Sequence, residues 1–394
     1  MSNFPIVIAG GGPAGAHAAA ILTGGGRKVV LLDEKLAWEK PCGGGITHKA
    51  LAEWPFLREA QVERNWIHSC KIIGPSGRRV SFRLNQPVAI FSRRVLNGLL
   101  LERARRAGAH VVQNRILEIE RRSASWRVQF RGGWVDAEYL VLAAGARCSL
   151  RKQFAPAFAP GDLMATAGYY IPGESHLMQI QFLKGLHGYI WIFPRADHLS
   201  AGICGKLGGW STGHLRRLLE AALSDLGIDY AGAEFYSHVL PSLRTSTLRD
   251  APVNGEGWAM VGDAAGFVDP ITGEGLYYAL KSADLLSRAL LTGQPGSYPS
   301  LLREDLVPEL ETAASVANRF YAGSWMGQPV LERMLQFTEN SLTFRELMSD
   351  MFAGTQGYRD LRRRLYRSLP AMLAQSVMAK VRQLSSSAHA PSSV

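Results

Sequence analysis

The stretch Ile6-Val7-Ile8-Ala9-Gly10-Gly11-Gly12-Pro13-Ala14-Gly15 decides the fold: an apolar run, opened by Phe4-Pro5, that ends in glycines. Such a run reads as a buried parallel strand. An Ala-rich helix from Ala14 to Leu22 follows, Gly24-Gly25-Gly26 stop it, and Val29-Val30-Leu31-Leu32 form a second apolar strand. Together they make a β–α–β unit. The glycines fit GxGxxG in the context that makes the pattern informative, after a strand and at the start of a helix. Gly10 allows the tight turn, Gly12 lets backbone approach a pyrophosphate, and Gly15 lets helix and strand pack closely. The helix N-terminus offers free N–H groups and positive dipole to phosphates. An acid at the end of the second strand completes such a site; by register it is Asp33, with Glu34 as the second choice.

That dinucleotide is NAD or FAD, and a second motif decides between them. Trp258-Ala259-Met260-Val261-Gly262-Asp263-Ala264-Ala265-Gly266 is an apolar strand running into Gly-Asp and a turn of small residues. Asp263 can accept hydrogen bonds from a sugar-chain hydroxyl, and the small residues admit a ligand close to backbone. Pro270-Ile271-Thr272-Gly273-Glu274-Gly275-Leu276 then leads into a helix from Tyr277 to Leu286, whose N-terminus can stabilise negative charge on a reduced flavin. A Gly-Asp turn this far downstream of the first fingerprint indicates FAD.

With 394 residues, 47% of them hydrophobic and 20% charged, the chain is long enough for more than one domain and has an ordinary globular composition. No run of about 20 apolar residues is present, so no membrane span is expected. The start lacks the pattern of a signal peptide. Cys42, Cys70, Cys148 and Cys204 are scattered without a CxxC pair, which argues against a metal site or a disulfide framework and fits a cytoplasmic chain. The expected architecture is α/β: a doubly wound, Rossmann-like FAD domain from 1–160 and 250–285. Alternating runs at 178–182 and 189–193 place an inserted antiparallel substrate sheet at 160–250. A helical region covers 286–384, and a Ser/Ala/Pro tail at 385–394 reads as disordered.

The sequence resembles the geranylgeranyl reductase family, within the wider group of flavoproteins related to aromatic hydroxylases. The likeness is carried by GGGPAG at 10–15, Pro41-Cys42-Gly43-Gly44-Gly45, Arg93, Gly188-Tyr189-Ile190-Trp191-Ile192-Phe193-Pro194, and Gly262-Asp263-Ala264-Ala265-Gly266 with its extension from Pro270 to Gly275. The resemblance implies FAD contacts at Ala14, Asp33, Cys42, Gly43, Gly45, Arg93, Asp263, Gly275 and Leu276, and a substrate cavity lined by Tyr189, Trp191 and Phe193. It implies reduction of isolated C=C bonds in a prenyl or similarly apolar small-molecule or lipid substrate, with NAD(P)H or ferredoxin as electron donor. Two positions depart from the pattern: Ala144 stands where related hydroxylases carry Asp, and Asn97 where Asp is usual after Arg93.

Without the family, the alternating Tyr189-x-Trp191-x-Phe193 strand puts three rings on one face, which suits a hydrophobic core or, beside a flavin, an apolar slot. Cys42 is either a small buried hydrophobe or a group that moves a proton beside the flavin. The formal charge of +11 gathers around Arg93–Arg106 and on Arg359, Arg362, Arg363, Arg364 and Arg367. On a wheel the latter surround an apolar strip of Tyr358, Leu361, Leu365 and Leu369, until Pro370 kinks or ends the helix. This basic helix, 358–369, either lies on an anionic bilayer or packs on its own domain. No nucleic-acid module is recognisable. The rival function is an FAD monooxygenase or halogenase of small-molecule biosynthesis; a flavin-bound interaction protein without turnover is a further alternative.

Overall fold

In the computed structural model, which describes residues 5–325 and 327–388, the opening apolar run becomes the central strand of a parallel sheet. Ile6–Ala9 pairs on one side with Val29–Asp33 and on the other with Tyr139–Leu142. The sheet continues to His110–Gln113 at one edge and to Trp258–Met260, with a short antiparallel return at Asn254–Gly255, at the other. The chain therefore leaves its first strand toward one edge and returns on the other side. That reversal opens a crevice at the carboxyl end of Ile6–Ala9, where Gly10 begins. The fingerprint helix, Pro13–Gly24, is wedged between the Arg93–Arg106 and Leu276–Leu291 helices. Its alanines let neighbours close in on all sides, so Ala14 through Ala20 are buried. Phe4 lies outside the described residues.

A second sheet follows the spatial order Glu234–Pro241, Leu163–Pro172, His198–Lys206, Gly188–Pro194, Leu177–Gln181, Asn65–Ile73, Arg79–Ile90, Gly45–Ile46. It reaches beyond the expected 160–250: the Asn65–Ile90 hairpin adds to it through a parallel pairing with Leu177–Gln181. The reason is edge satisfaction, since the N–H and C=O groups along Leu177–Gln181 need a partner and the hairpin supplies one. Ile190 and Ile192 pack with Leu215, Leu219 and Leu223 of the Thr212–Asp225 helix on one face of the sheet. Tyr189, Trp191 and Phe193 point to the other face, as strand alternation requires.

Beyond Leu291 the described chain is helical apart from a small hairpin at 324–329. The Leu342–Ala353 helix packs on the Arg79–Ile90 strand. The last helix runs from Tyr358 to Ala388 and does not stop at Pro370. Gln375, past the proline, accepts hydrogen bonds from Ser341 Oγ (2.7 Å) and Thr343 N (3.2 Å), which fixes the continuation. Of the tail expected at 385–394, residues 385–388 are helical and 389–394 lie outside the described residues. No described helix is long and apolar enough to cross a membrane.

Candidate active site

At the carboxyl ends of the parallel strands a cavity of about 1450 Å³ opens and runs between the two sheets to the C-terminal helices. The Gly10 turn forms one end. Gly10 has φ +115°, and a Cβ there would meet Ala143 O at 2.5 Å; one on Gly15 would overlap the Gly10 carbonyl. Asp33 accepts hydrogen bonds from the N–H groups of Gly11 (2.7 Å), Lys35 (2.7 Å) and Leu36 (2.8 Å), so its carboxylate is aimed before any ligand arrives. Glu34 also lines the cavity but is exposed. Gly12 is the N-cap of the fingerprint helix without a side-chain cap. The first-turn N–H groups at Ala14 and Gly15 have no intrahelical acceptor.

The loop 39–45 forms a second wall. Glu39 accepts from Ser92 Oγ and Arg93 N and pairs with the fully buried Arg195. Burial pushes the Glu39 carboxyl up, but Arg195 and these donors outweigh it and hold it below the ordinary value. Arg195 Nη2 (2.6 Å) and Ser200 Oγ (2.9 Å) also donate to Cys42 O, presenting Cys42 and Gly43 to the cavity. Gly43 and Gly45 lie under the Phe193 ring, which a Cβ on Gly43 would meet at 2.6 Å. Arg93 is 3% exposed; its Nη2 donates to Asn97 Oδ1 (3.3 Å), so the Asn97 departure leaves a neutral partner where a carboxylate would neutralise the charge. Arg93 Nε is buried without a partner among the described residues.

Across the cavity, Asp263 pairs with Lys40 Nζ at 3.2 Å. Burial raises this carboxyl, yet Lys40, with Arg93, brings it net below its ordinary value. Gly262 and Gly15 stand behind the wall: Gly262 N donates to Ser282 Oγ (2.9 Å), and Arg151 clamps the turn through Ala264 O (2.5 Å). Pro270 is buried behind the loop, whereas Gly273, Gly275 and Leu276 face the cavity. Gly275 caps the Leu276–Leu291 helix, again with no side-chain cap. Tyr189 donates its hydroxyl to Thr272 O, joining the aromatic strand to this loop. Tyr189, Trp191 and Phe193 all line the cavity, which continues past Ile72, Met178, Phe344, Leu361 and Leu365.

Sequence reasoning missed several wall residues. Lys40 and His238 carry no local motif; His238 Nε2 is buried without a partner among the described residues, and burial, then Lys40, lowers the imidazole to about 3. Glu274 sits inside a recognised motif but was not singled out. Burial, then the neighbouring Asp269, pushes its carboxyl up to about 7, while Thr47 Oγ1 donates to it at 3.4 Å. A carboxylate beside glycines in a motif this apolar was the available signal.

These residues fit FAD on their own geometry. An unpartnered Arg93 Nε, two helix starts without side-chain caps and an aimed Asp33 leave acceptor and donor positions for a diphosphate and a ribose. Fold and site define an FAD-dependent oxidoreductase. No protein-family model matches the chain. It is 30% identical over 293 residues to a geranylgeranyl diphosphate reductase of Rhodobacter capsulatus, covering 70% of this chain and 72% of that one. It is 26% identical over 300 residues to a digeranylgeranylglycerophospholipid reductase of Methanocaldococcus jannaschii, covering 70% and 74%. Among solved structures, a geranylgeranyl bacteriochlorophyll reductase-like protein of Thermoplasma acidophilum superimposes with a TM-score of 0.76 at 19% identity, covering 92% of this chain and 98% of that one. A flavin-dependent brominase gives a TM-score of 0.70 at 17% identity, covering 92% and 98%. The chain belongs to the geranylgeranyl diphosphate reductase family.

Proposed function

We propose that this protein reduces C=C bonds of a prenyl, geranylgeranyl-type or similarly apolar lipid substrate. The observation that carries the reading is one continuous cavity, polar at the dinucleotide turn and apolar toward the C-terminal helices. When bound, FAD supplies the hydride chemistry, charged by NAD(P)H or ferredoxin. The chain's own residues bind, orient and exclude water. Asp33 holds the ribose, with Glu34 the alternative. The Gly10–Gly15 turn and Arg93 hold the diphosphate, and Asp263 the polyol chain. Cys42, Gly43, Gly45 and the Gly273–Leu276 helix start surround the ring.

In this reading residues 1–160 and 250–285 carry the cofactor, apart from the 65–90 hairpin, which joins 160–250 in covering it, and 286–384 wall the substrate end. Tyr189, Trp191 and Phe193 form the slot that keeps an alkene dry against the ring. Two groups on the wall can carry the proton for the second alkene carbon, Cys42 Sγ and the Glu274 carboxyl. Anaerobic incubation of the flavin-reduced enzyme with a polyprenyl substrate tests the proposal: the product gains two hydrogens while flavin is reoxidised. An absolute requirement for oxygen would instead assign the monooxygenase or halogenase chemistry.

A further inference from the structure

The last helix has two outward zones that its inward face does not explain. Inward, Leu361, Leu365, Leu369 and Met372 face the cavity, and Arg364 is tied to Asp350 at 2.6 Å. Outward, its first half carries Arg359, Arg362, Arg363 and Arg367, all exposed. Arg363 pairs with Asp360 (2.9 Å); Arg359, Arg362 and Arg367 have no carboxylate partner among the described residues. Beyond Pro370 the outward side turns apolar: Leu373 is 43% exposed, Val377 61% and Met378 55%. Tyr366, 64% exposed, lies among the arginines on the same side. Isolated exposed apolar residues need no explanation, but here a run of them continues a strip of unneutralised arginines on one helix.

We infer that the outward face of the Tyr358–Ala388 helix docks on an anionic lipid bilayer. Three observations favour this occupant. The exposed arginines match phosphate headgroups, and the apolar residues beyond Pro370 suit the acyl boundary beneath them. A second copy of the chain is disfavoured, because a two-fold pairing of this face would bring the same arginines toward one another or set them over the apolar zone. Of the outward residues, Arg359, Arg362 and Tyr366 also line the cavity, so the docked face is continuous with its wall. A prenyl chain held in the bilayer then enters the cavity without crossing water. The inference rests on the lipid-substrate reading above for its purpose, not for its test.

Flotation of the full-length, flavin-loaded protein with vesicles decides it. The protein floats with phosphatidylglycerol-containing vesicles, not with pure phosphatidylcholine, and added salt weakens the binding. Replacing Arg359, Arg362 and Arg367 together by Gln weakens binding roughly a hundredfold, about fivefold for each charge near an anionic surface. Val377→Glu with Met378→Glu also lowers flotation by at least about tenfold, from lost apolar insertion. Unchanged flavin absorbance and circular dichroism show that both variants are folded. Absence of flotation, equal flotation with neutral vesicles, or variants that float like the parent overturn the inference. So does a vesicle-free dimer that the Val377/Met378 variant dissociates. Flotation without prenyl turnover would sink the substrate reading alone, and turnover without flotation the docking alone.

Discussion

The Tyr358 hydroxyl donates to Asp269 Oδ2 at 2.9 Å, joining the first turn of the C-terminal helix to the loop that opens the Leu276–Leu291 helix. Asp269 is 3% exposed and also accepts from Ile271 N (2.8 Å) and Thr272 Oγ1 (2.8 Å). The last helix and the loop before Leu276 thus share one buried carboxylate.

Tyr358→Phe removes one donor from that carboxylate without emptying the space the ring fills. Stability should fall by about 1–3 kcal/mol, the usual penalty for an under-satisfied buried polar group. Denaturant unfolding with flavin absorbance as the probe measures it, and an unchanged midpoint would contradict the assigned role.

Asp33 and Glu34 make separable predictions. Asp33→Ala deletes an acceptor for three backbone N–H groups and the carboxylate aimed into the cavity, so FAD affinity should drop at least about tenfold. Glu34→Ala should leave FAD retention unchanged, because Glu34 is exposed at the cavity edge. Equilibrium titration of the apoprotein with FAD reads both, and the reverse order would move the ribose contact to Glu34.

The Glu274 carboxyl, ordinarily near 4.5, sits at about 7 in the folded protein because burial disfavours its charge. Between these values the unfolded chain has released the proton while the folded one keeps it. The unfolded state then binds fewer protons, so the stabilisation from this group is complete below pH 4.5 and is lost as pH rises through about 7. Chemical denaturation across that range should show stability falling with pH in the parent and a flatter profile in Glu274→Gln. Parallel profiles would remove Glu274 as the source.

The proton source is separable by paired variants. Cys42→Ser and Glu274→Gln should each retain flavin absorbance. The variant lacking the true donor should lose roughly a hundredfold or more in single-turnover alkene reduction, the usual contribution of a positioned acid. If neither slows reduction, the proton comes from elsewhere on the wall.

Much of the glycine-rich end of the cavity was legible in the chain itself. The strand–glycine–helix pattern at 6–22 and the Gly-Asp turn at 262–266 are local: their steric demands for missing side chains fall on adjacent residues, and so does the period-two alternation of 189–193. What tertiary structure alone decided depends on partners distant in sequence. The pairing of Leu177–Gln181 with Asn65–Ile73, the Lys40–Asp263 contact, the placing of His238 on the cavity wall and the passage of the last helix through Pro370 have no local signature. Each is set by which edges must be hydrogen-bonded and which charges meet once the sheets have closed over the cavity, and neither condition is written in a window of neighbouring residues.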